Sequence, residues 1–226
     1  MARIELLSNR DRRSLRLDAA KMGNRHFVQI VAGEFAAAAA HCPIVFSKRP
    51  DDGRFYAGAV LGFKAGENLL RDEDVFAAGF CPLDVVRDGF FVVEEQVAID
   101  RENPRFTAGE PMFDVGGEPS ERLRQVQHAL GTFKLGLEET DAFIDALIAL
   151  KLIESIDVTL HFDDGERVNL AGIYTVSLDA LHDLDDRDAL ALFHRGWLQL
   201  AYTMAMSLKQ IAVLAARRNR KLAAAA

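Results

Sequence analysis

Glycine and proline cut the first hundred residues into apolar runs too short to make helices: Pro43–Phe46, Ala57–Phe63, Phe76–Phe80 and Phe90–Val93. Such runs, bounded by turn-forming residues, predict short strands. The clusters Arg49-Pro50-Asp51-Asp52-Gly53 and Asp88-Gly89 supply the restricted or positive φ that reverses a chain. One helix interrupts the strands, from Gly33 to His41. Its five consecutive alanines lose little side-chain entropy on becoming helical, and Pro43 stands just beyond its end.

The second half changes period. After a proline- and glycine-rich stretch from Asn103 to Pro119, read as a connector, Ser120 is a good N-cap. Leu123, Val126, Gln127, Leu130 and Phe133 then follow near-helical steps, and Gly136 is the expected stop. A second helix starts at about Glu138, buries Phe143, Ala146, Leu147 and Leu150, and ends near Leu152. Ile156, Val158, Leu160 and Phe162 next alternate with polar residues, Asp163-Asp164-Gly165 turns the chain, and Val168, Leu170 and Ile173 return as a hairpin. The last third is helical: Asp185 or Asp186 caps a helix through His194, Gly196 interrupts, and a helix from Trp197 runs into a basic tail. Its stripe of Trp197, Ala201, Tyr202, Ala205, Leu208, Ile211, Ala212 and Ala215 suits a core face, with a homodimer seam as the competing use. Strands followed by helices, rather than alternating with them, predict an α+β fold: short N-terminal strands and one later hairpin packed with C-terminal helices. One domain over 1–226 is expected, with 103–119 the place for any internal boundary.

With 226 residues, half of them apolar and 27% charged, the chain is long enough for a full core and too ordinary in composition for wholesale disorder or collagen. A net charge of -7 argues against a protein that coats nucleic acid by neutralising phosphates. The charge is uneven. Residues 1–30 are +4, the run Arg217, Arg218, Arg220 and Lys221 is another +4, and the body between is -15. Basic residues late in a long helix complement its dipole. Two cysteines, Cys42 and Cys81, make no disulfide framework, and Gln199, Lys209 and Gln210 interrupt the longest apolar stretch before it can serve as a membrane span. No apolar leader segment is visible. Cytoplasmic residence is the expectation.

Motifs that carry chemistry are sparse. His161-Phe162-Asp163 has the spacing of part of a two-His-one-carboxylate iron site, with His182 or His194 as the distal ligand, but Asp163 falls in the expected turn. Asp163-Asp164-Gly165-Glu166 lacks the alternating oxygen ligands of a calcium loop. Cys42 and Cys81 each precede proline, which raises a thiolate or redox use, against the commoner role of small buried hydrophobes. Gly58, Gly62 and Gly66 complete no phosphate-binding motif. No metal, cofactor or catalytic residue is therefore assigned.

The order of landmarks resembles the bacterial SapC family. The matching pieces are Glu34 before the alanine-rich helix, Cys42-Pro43-Ile44-Val45-Phe46, Ala59-Val60-Leu61-Gly62-Phe63, Glu67-Asn68-Leu69, the run from Phe80 to Phe90, and Leu170-Ala171-Gly172-Ile173-Tyr174 followed by Leu178, Leu181 and Leu184. The resemblance reaches to about Asn219. Cys42 and Cys81 stand where the family commonly has an aromatic residue before the proline, and Gly89 replaces a proline before Phe90, so the chain resembles a divergent member. The family's names invoke surface layers and peptide transport. Its members tend to be encoded in proteobacteria beside flavin-dependent tryptophan-halogenase-like and cupin-like or 2-oxoglutarate-oxygenase-like proteins, which implies an accessory role. The resemblance supplies no catalytic residues.

Three functions follow as expectations. The first is a non-catalytic accessory or binding protein working with such a modifying enzyme or with a surface-layer or peptide-uptake system. The second is an enzyme whose polar groups converge only in the fold, drawn from Glu34, His41, Asn68, Arg87 and Tyr174. The third is a surface-layer component. Neither a nucleic-acid partner nor a membrane span is expected.

Overall fold

Every strand pairing among the described residues is antiparallel, as suits strands that follow one another through turns rather than helical crossovers. The computed structural model describes residues 3–8, 11–18, 21, 23–72, 75–76 and 79–225, with side chains for all of these except 12, 13, 72, 75, 76 and 225. In chain order the elements are β1 (Ile4–Leu6), α1 (Asp11–Ser14), β2 (Arg16–Leu17), β3 (Phe27–Gln29), α2 (Phe35–Ala39), β4 (Ile44–Lys48), β5 (Phe55–Val60), β6 (Arg71–Asp72), β7 (Val75–Phe76), α3 (Leu83–Val86), β8 (Phe90–Val93), β9 (Gln96–Asp100), β10 (Glu110–Pro111), α4 (Glu121–Ala149), β11 (Ile153–His161), β12 (Arg167–Val176), α5 (Leu178–His182), α6 (Asp186–His194), α7 (Trp197–Ser207) and α8 (Gln210–Ala225). The fold is α+β. Part of the expected strand Phe76–Phe80 lies outside the described residues. The chain divides into two compact units, Met1–Gly23 with Arg71–Leu135 and Asn24–Leu70 with Gly136–Ala226.

In the first unit the sheet order is β1-β9-β8, and β10 pairs with β2. Phe90 and Ile99, directly opposite in register, are fully buried and join Leu15, Leu17, Met112, Phe113, Leu123, Val126 and Leu130 in one core. The stretch 103–119 is not a bare connector. Asn103 caps a 3₁₀ turn at Pro104–Phe106, accepting from the Arg105 N–H at 3.0 Å. The buried Arg105 guanidinium donates from Nη1 to the carbonyls of Val85, Val86 and Asp88. Gly109, at φ 99°, passes so close to Leu17 that a Cβ would lie 2.2 Å from its carbonyl oxygen. Residues distant in sequence thus hold a segment whose own composition offers little apolar anchorage.

Asp11, 2% exposed, ties this unit together. Its carboxylate accepts from Ser8 N–H at 2.7 Å and Ser8 O–H at 2.8 Å, and pairs with Arg101, which also reaches Glu5 at 3.0 Å. Burial pushes the Asp11 carboxyl upward, but the Ser8 donations and Arg101 outweigh it and hold it below its ordinary value. A carboxyl lowered on folding stabilises above its unfolded value near 4, and that contribution is lost as the pH falls through the folded value. Asp11→Asn is therefore expected to cost about 1–3 kcal/mol at pH 7, a penalty that shrinks by pH 3 in urea titrations. An equal penalty at both pH values would contradict the assignment.

In the second unit five strands run in the order β11-β12-β4-β5-β3. The β11–β12 hairpin forms where alternation predicts it, with Gly165 at φ 82° in the turn and a bulge between Ile156 and Val158. Two corrections concern helices. The 29-residue α4 runs straight through Gly136, where a stop was expected. Gly136 lets Val31 approach: a Cβ there would sit 2.6 Å from Val31 Cγ2. One turn on, Thr140 Oγ donates to the Gly136 carbonyl at 2.6 Å and accepts from Ala32 N–H at 2.8 Å. The expected helix from Trp197 is instead two, α7 and α8. The buried Ser207 takes the Met204 carbonyl at 2.6 Å and accepts from Ile44 N–H at 2.8 Å, spending the last turn of α7 on the sheet. The stripe also divides: Trp197 and Ala201 are buried, whereas Tyr202 and Ala212 are exposed.

A Cβ at Gly131 of the same helix meets nothing within 4 Å, which makes it the control for Gly136. Gly136→Ala is expected to destabilise by about 1–3 kcal/mol through the Val31 clash, and Gly131→Ala to stabilise by up to about 1 kcal/mol through helix propensity. Thermal unfolding of both variants checks this; a stabilised Gly136→Ala would refute close packing as the reason for glycine.

Candidate functional site

The end of the β4–β5 hairpin and the C-terminal part of α4, all within the second unit, enclose a cleft of about 220 Å³. The hairpin turn is locally determined. Arg49 and Arg54 close it through a 2.9 Å hydrogen bond, Asp52 Oδ1 accepts from Arg54 N–H at 2.9 Å, and Gly53 takes φ 70°. Lys48 and Phe55 are cross-strand partners at its base. Opposite them, Asp141, Ile144, Asp145 and Ile148 occupy steps i, i+3, i+4 and i+7 of α4, one helical face.

The cleft is lined by both signs of charge over apolar surface. Arg54 and Asp141 make an ion pair across it, at 3.7 Å and half exposed to solvent. Lys48 makes no ion pair among the described residues: its Nζ lies 4.9 Å from the Phe55 ring centre and 5.0 Å from that of Tyr174. Those two rings meet edge to face at 4.9 Å. Asp145 is exposed and likewise has no ion-pair partner among the described residues. Ile144 is 2% exposed and Ile148 is 46% exposed, a closed apolar side and an open one.

Of the five residues singled out from sequence, Tyr174 alone supports this cleft, from behind Lys48. Glu34 is buried and accepts from Val31 N–H at 3.1 Å, closing its own 3₁₀ turn. His41 is half-buried at the end of α2. Asn68 is buried, accepts from Leu70 N–H at 3.0 Å, and leaves its Nδ2 unpartnered. Arg87 belongs to the first unit, paired with Asp84 and stacked 4.5 Å from the Phe133 ring centre. The residues missed from sequence are Lys48, Arg54, Asp141 and Asp145. For Asp141 and Asp145 the trace in the sequence is the i, i+3, i+4, i+7 face of α4, which lies beside the Phe143 and Leu147 face that hydrophobic periodicity picks out, whereas Lys48 and Arg54 at the hairpin end carry no such pattern.

The other motifs have structural uses. Phe162 of His161-Phe162-Asp163 is buried, 5.6 Å from the Phe63 ring and 4.0 Å beneath the Arg218 guanidinium. Among the described residues no three His, Cys, Asp or Glu groups converge as a ligand set. Arg218, 4% exposed, pairs with Glu67 at 3.2 Å and with Glu166, which also holds Lys64. The Lys64 hydrogen bond, with Arg218, lowers the Glu166 carboxyl against the effect of desolvation. Part of the basic tail is thus an internal ion-pair network rather than a simple complement to the helix dipole. No helix among the described residues is long and apolar enough to cross a membrane.

Both cysteines are free. Burial, followed by the nearby Glu34 charge, pushes the Cys42 thiol up to about 12, and it donates to the Ala38 carbonyl at 3.4 Å. A neutral, enclosed thiol is a poor nucleophile. In native protein a thiol-specific reagent at pH 8 is expected to modify the partly exposed Cys81 and spare Cys42, with both reacting once the chain is unfolded. Equal native labelling rates would contradict the burial argument.

The SapC family model matches residues 7–214. The comparison with curated proteins gives no match, and neither does the comparison with solved structures. A family match that spans nearly the whole chain, over the same landmarks that hold Glu34, Asn68, Arg87 and Tyr174, places the protein: the chain belongs to the SapC family.

Proposed function

We propose that this SapC protein is a cytoplasmic accessory protein of a proteobacterium that supplies recognition rather than chemistry, as one functional domain built from its two units. The observation that carries this reading is the cleft between the β4–β5 hairpin and α4. It presents charges of both signs, two of them without an ion-pair partner among the described residues, over an apolar wall, an arrangement suited to orienting a bound group. Most of the other candidate polar residues have local structural partners: Glu34 closes a turn, Asn68 fixes a loop, and Arg87 sits on Asp84 and Phe133. The partner we favour is a modifying enzyme of the tryptophan-halogenase-like or cupin-like, 2-oxoglutarate-oxygenase-like kind, rather than a surface-layer or peptide-uptake system, and a homodimer is compatible with it.

Native mass spectrometry of the tagged chain, purified gently from its host's soluble extract, tests this. The expected spectrum shows a second protein of one of those kinds bound to the chain, and its peak is depleted in the charge-swapped double variant Lys48→Glu, Asp145→Lys. A bare chain, or a complex indifferent to the swap, would overturn the role given to the cleft.

A further inference from the structure

The cleft's unmatched charges define the chemistry of what fits it. Lys48 contributes a cation held against the Phe55 and Tyr174 rings, and Asp145 contributes an anion one helical turn along from Asp141. Among the described residues neither has an ion-pair partner, while the neighbouring Arg54 and Asp141 are matched to each other at 3.7 Å. A ligand of single charge satisfies one wall and leaves the other unpaired. A ligand carrying an ammonium and a carboxylate satisfies both. Charge-assisted hydrogen bonds to ionised groups are stronger than neutral ones, and a half-enclosed cleft screens them less than open water does.

Size narrows the class further. About 220 Å³ is below the range usual for pockets that hold drug-sized molecules or cofactors. It suits one small group with an apolar portion to set against Phe55, Ile144 and the exposed Ile148. We infer that the cleft binds a zwitterionic amino-acid-type ligand, its ammonium on Asp145, its carboxylate on Lys48 and its apolar portion on the Phe55–Ile144 wall. This assignment rests on the reading of the cleft as a recognition site and adds the ligand class to it. The same chemistry is offered by a free amino acid and by a short peptide with both ends open, which differ in the distance between charges.

The test is titration of the isotopically labelled full chain, followed by amide NMR, with L-leucine, L-leucyl-L-leucine, N-acetyl-L-leucine and L-leucinamide. One of the first two is expected to shift the amides of Arg54, Phe55 and Asp145, and which one does so sets the charge spacing. N-acetyl-L-leucine lacks the ammonium and L-leucinamide the carboxylate, so each is expected to bind at least about tenfold more weakly. Asp145→Asn and Lys48→Gln are expected to weaken the zwitterion by a similar factor. Both side chains are exposed and make no ion pair among the described residues, so unchanged spectra elsewhere report an intact fold. Equal binding of the blocked compounds, or no shift with either zwitterion at millimolar concentration, would overturn the ligand class. If the zwitterions fail while the charge swap still strips the partner protein, the ligand class falls and the recognition reading stands; if the zwitterions fail and the swap leaves the partner protein bound, both fall.

Discussion

The buried ring of Phe143 fixes the geometry on which the second unit depends. It meets Phe35 at 6.1 Å, Phe46 at 6.3 Å and Trp197 at 6.2 Å, so one side chain of α4 is held by α2, β4 and α7 together. Aromatic contacts of this kind add about 0.5–1.5 kcal/mol each beyond the area they bury. Their consequence here is rotational. With Phe143 and Leu147 turned into the core, the adjoining face with Asp141, Ile144, Asp145 and Ile148 has to lie beside the base of the β4–β5 hairpin. Phe46 extends the aromatic chain through Phe55 to Tyr174, the two rings under Lys48. Core packing therefore sets which charges line the cleft.

Much of the fold was legible where local rules and tertiary packing agree. Apolar runs between turn residues located β4, β5 and β8, alternation located the β11–β12 hairpin, and Ser120 and Asp185 act as helix caps as their chemistry suggests. The misses share a cause. Gly136 has the composition of a stop, but its role is set by Val31, more than a hundred residues earlier. The 103–119 stretch is held by Arg105 reaching back to the end of α3. Ser207, the last residue of α7, accepts from the Ile44 N–H of β4, more than 160 residues away in the chain. In each case a distant contact overrides a local preference.

The candidate site was less legible than the fold, for a related reason. Polar residues chosen for their place in family landmarks turn out largely to build the scaffold: Glu34 and Asn68 close turns, and Arg87 lies in an ion pair over Phe133. Tyr174 alone of the five lies beside the cleft, its ring under Lys48 and edge to face with Phe55. The charged residues of the cleft carry no motif. They become a group only when a helix face and a hairpin end, nearly a hundred residues apart in the chain, come together.

The central claim, that the host's ligand or partner engages this cleft, is tested most directly by methyl NMR. The chain is labelled at its isoleucine methyls and observed alone and then in its host's soluble extract. Ile144 and Ile148 report from the cleft, and Ile4 and Ile99 from the first unit. The account predicts shifts at Ile144 and Ile148 that disappear when Lys48 and Asp145 are exchanged in charge. Unmoved cleft methyls, with shifts confined to isoleucines elsewhere or absent altogether, would contradict it.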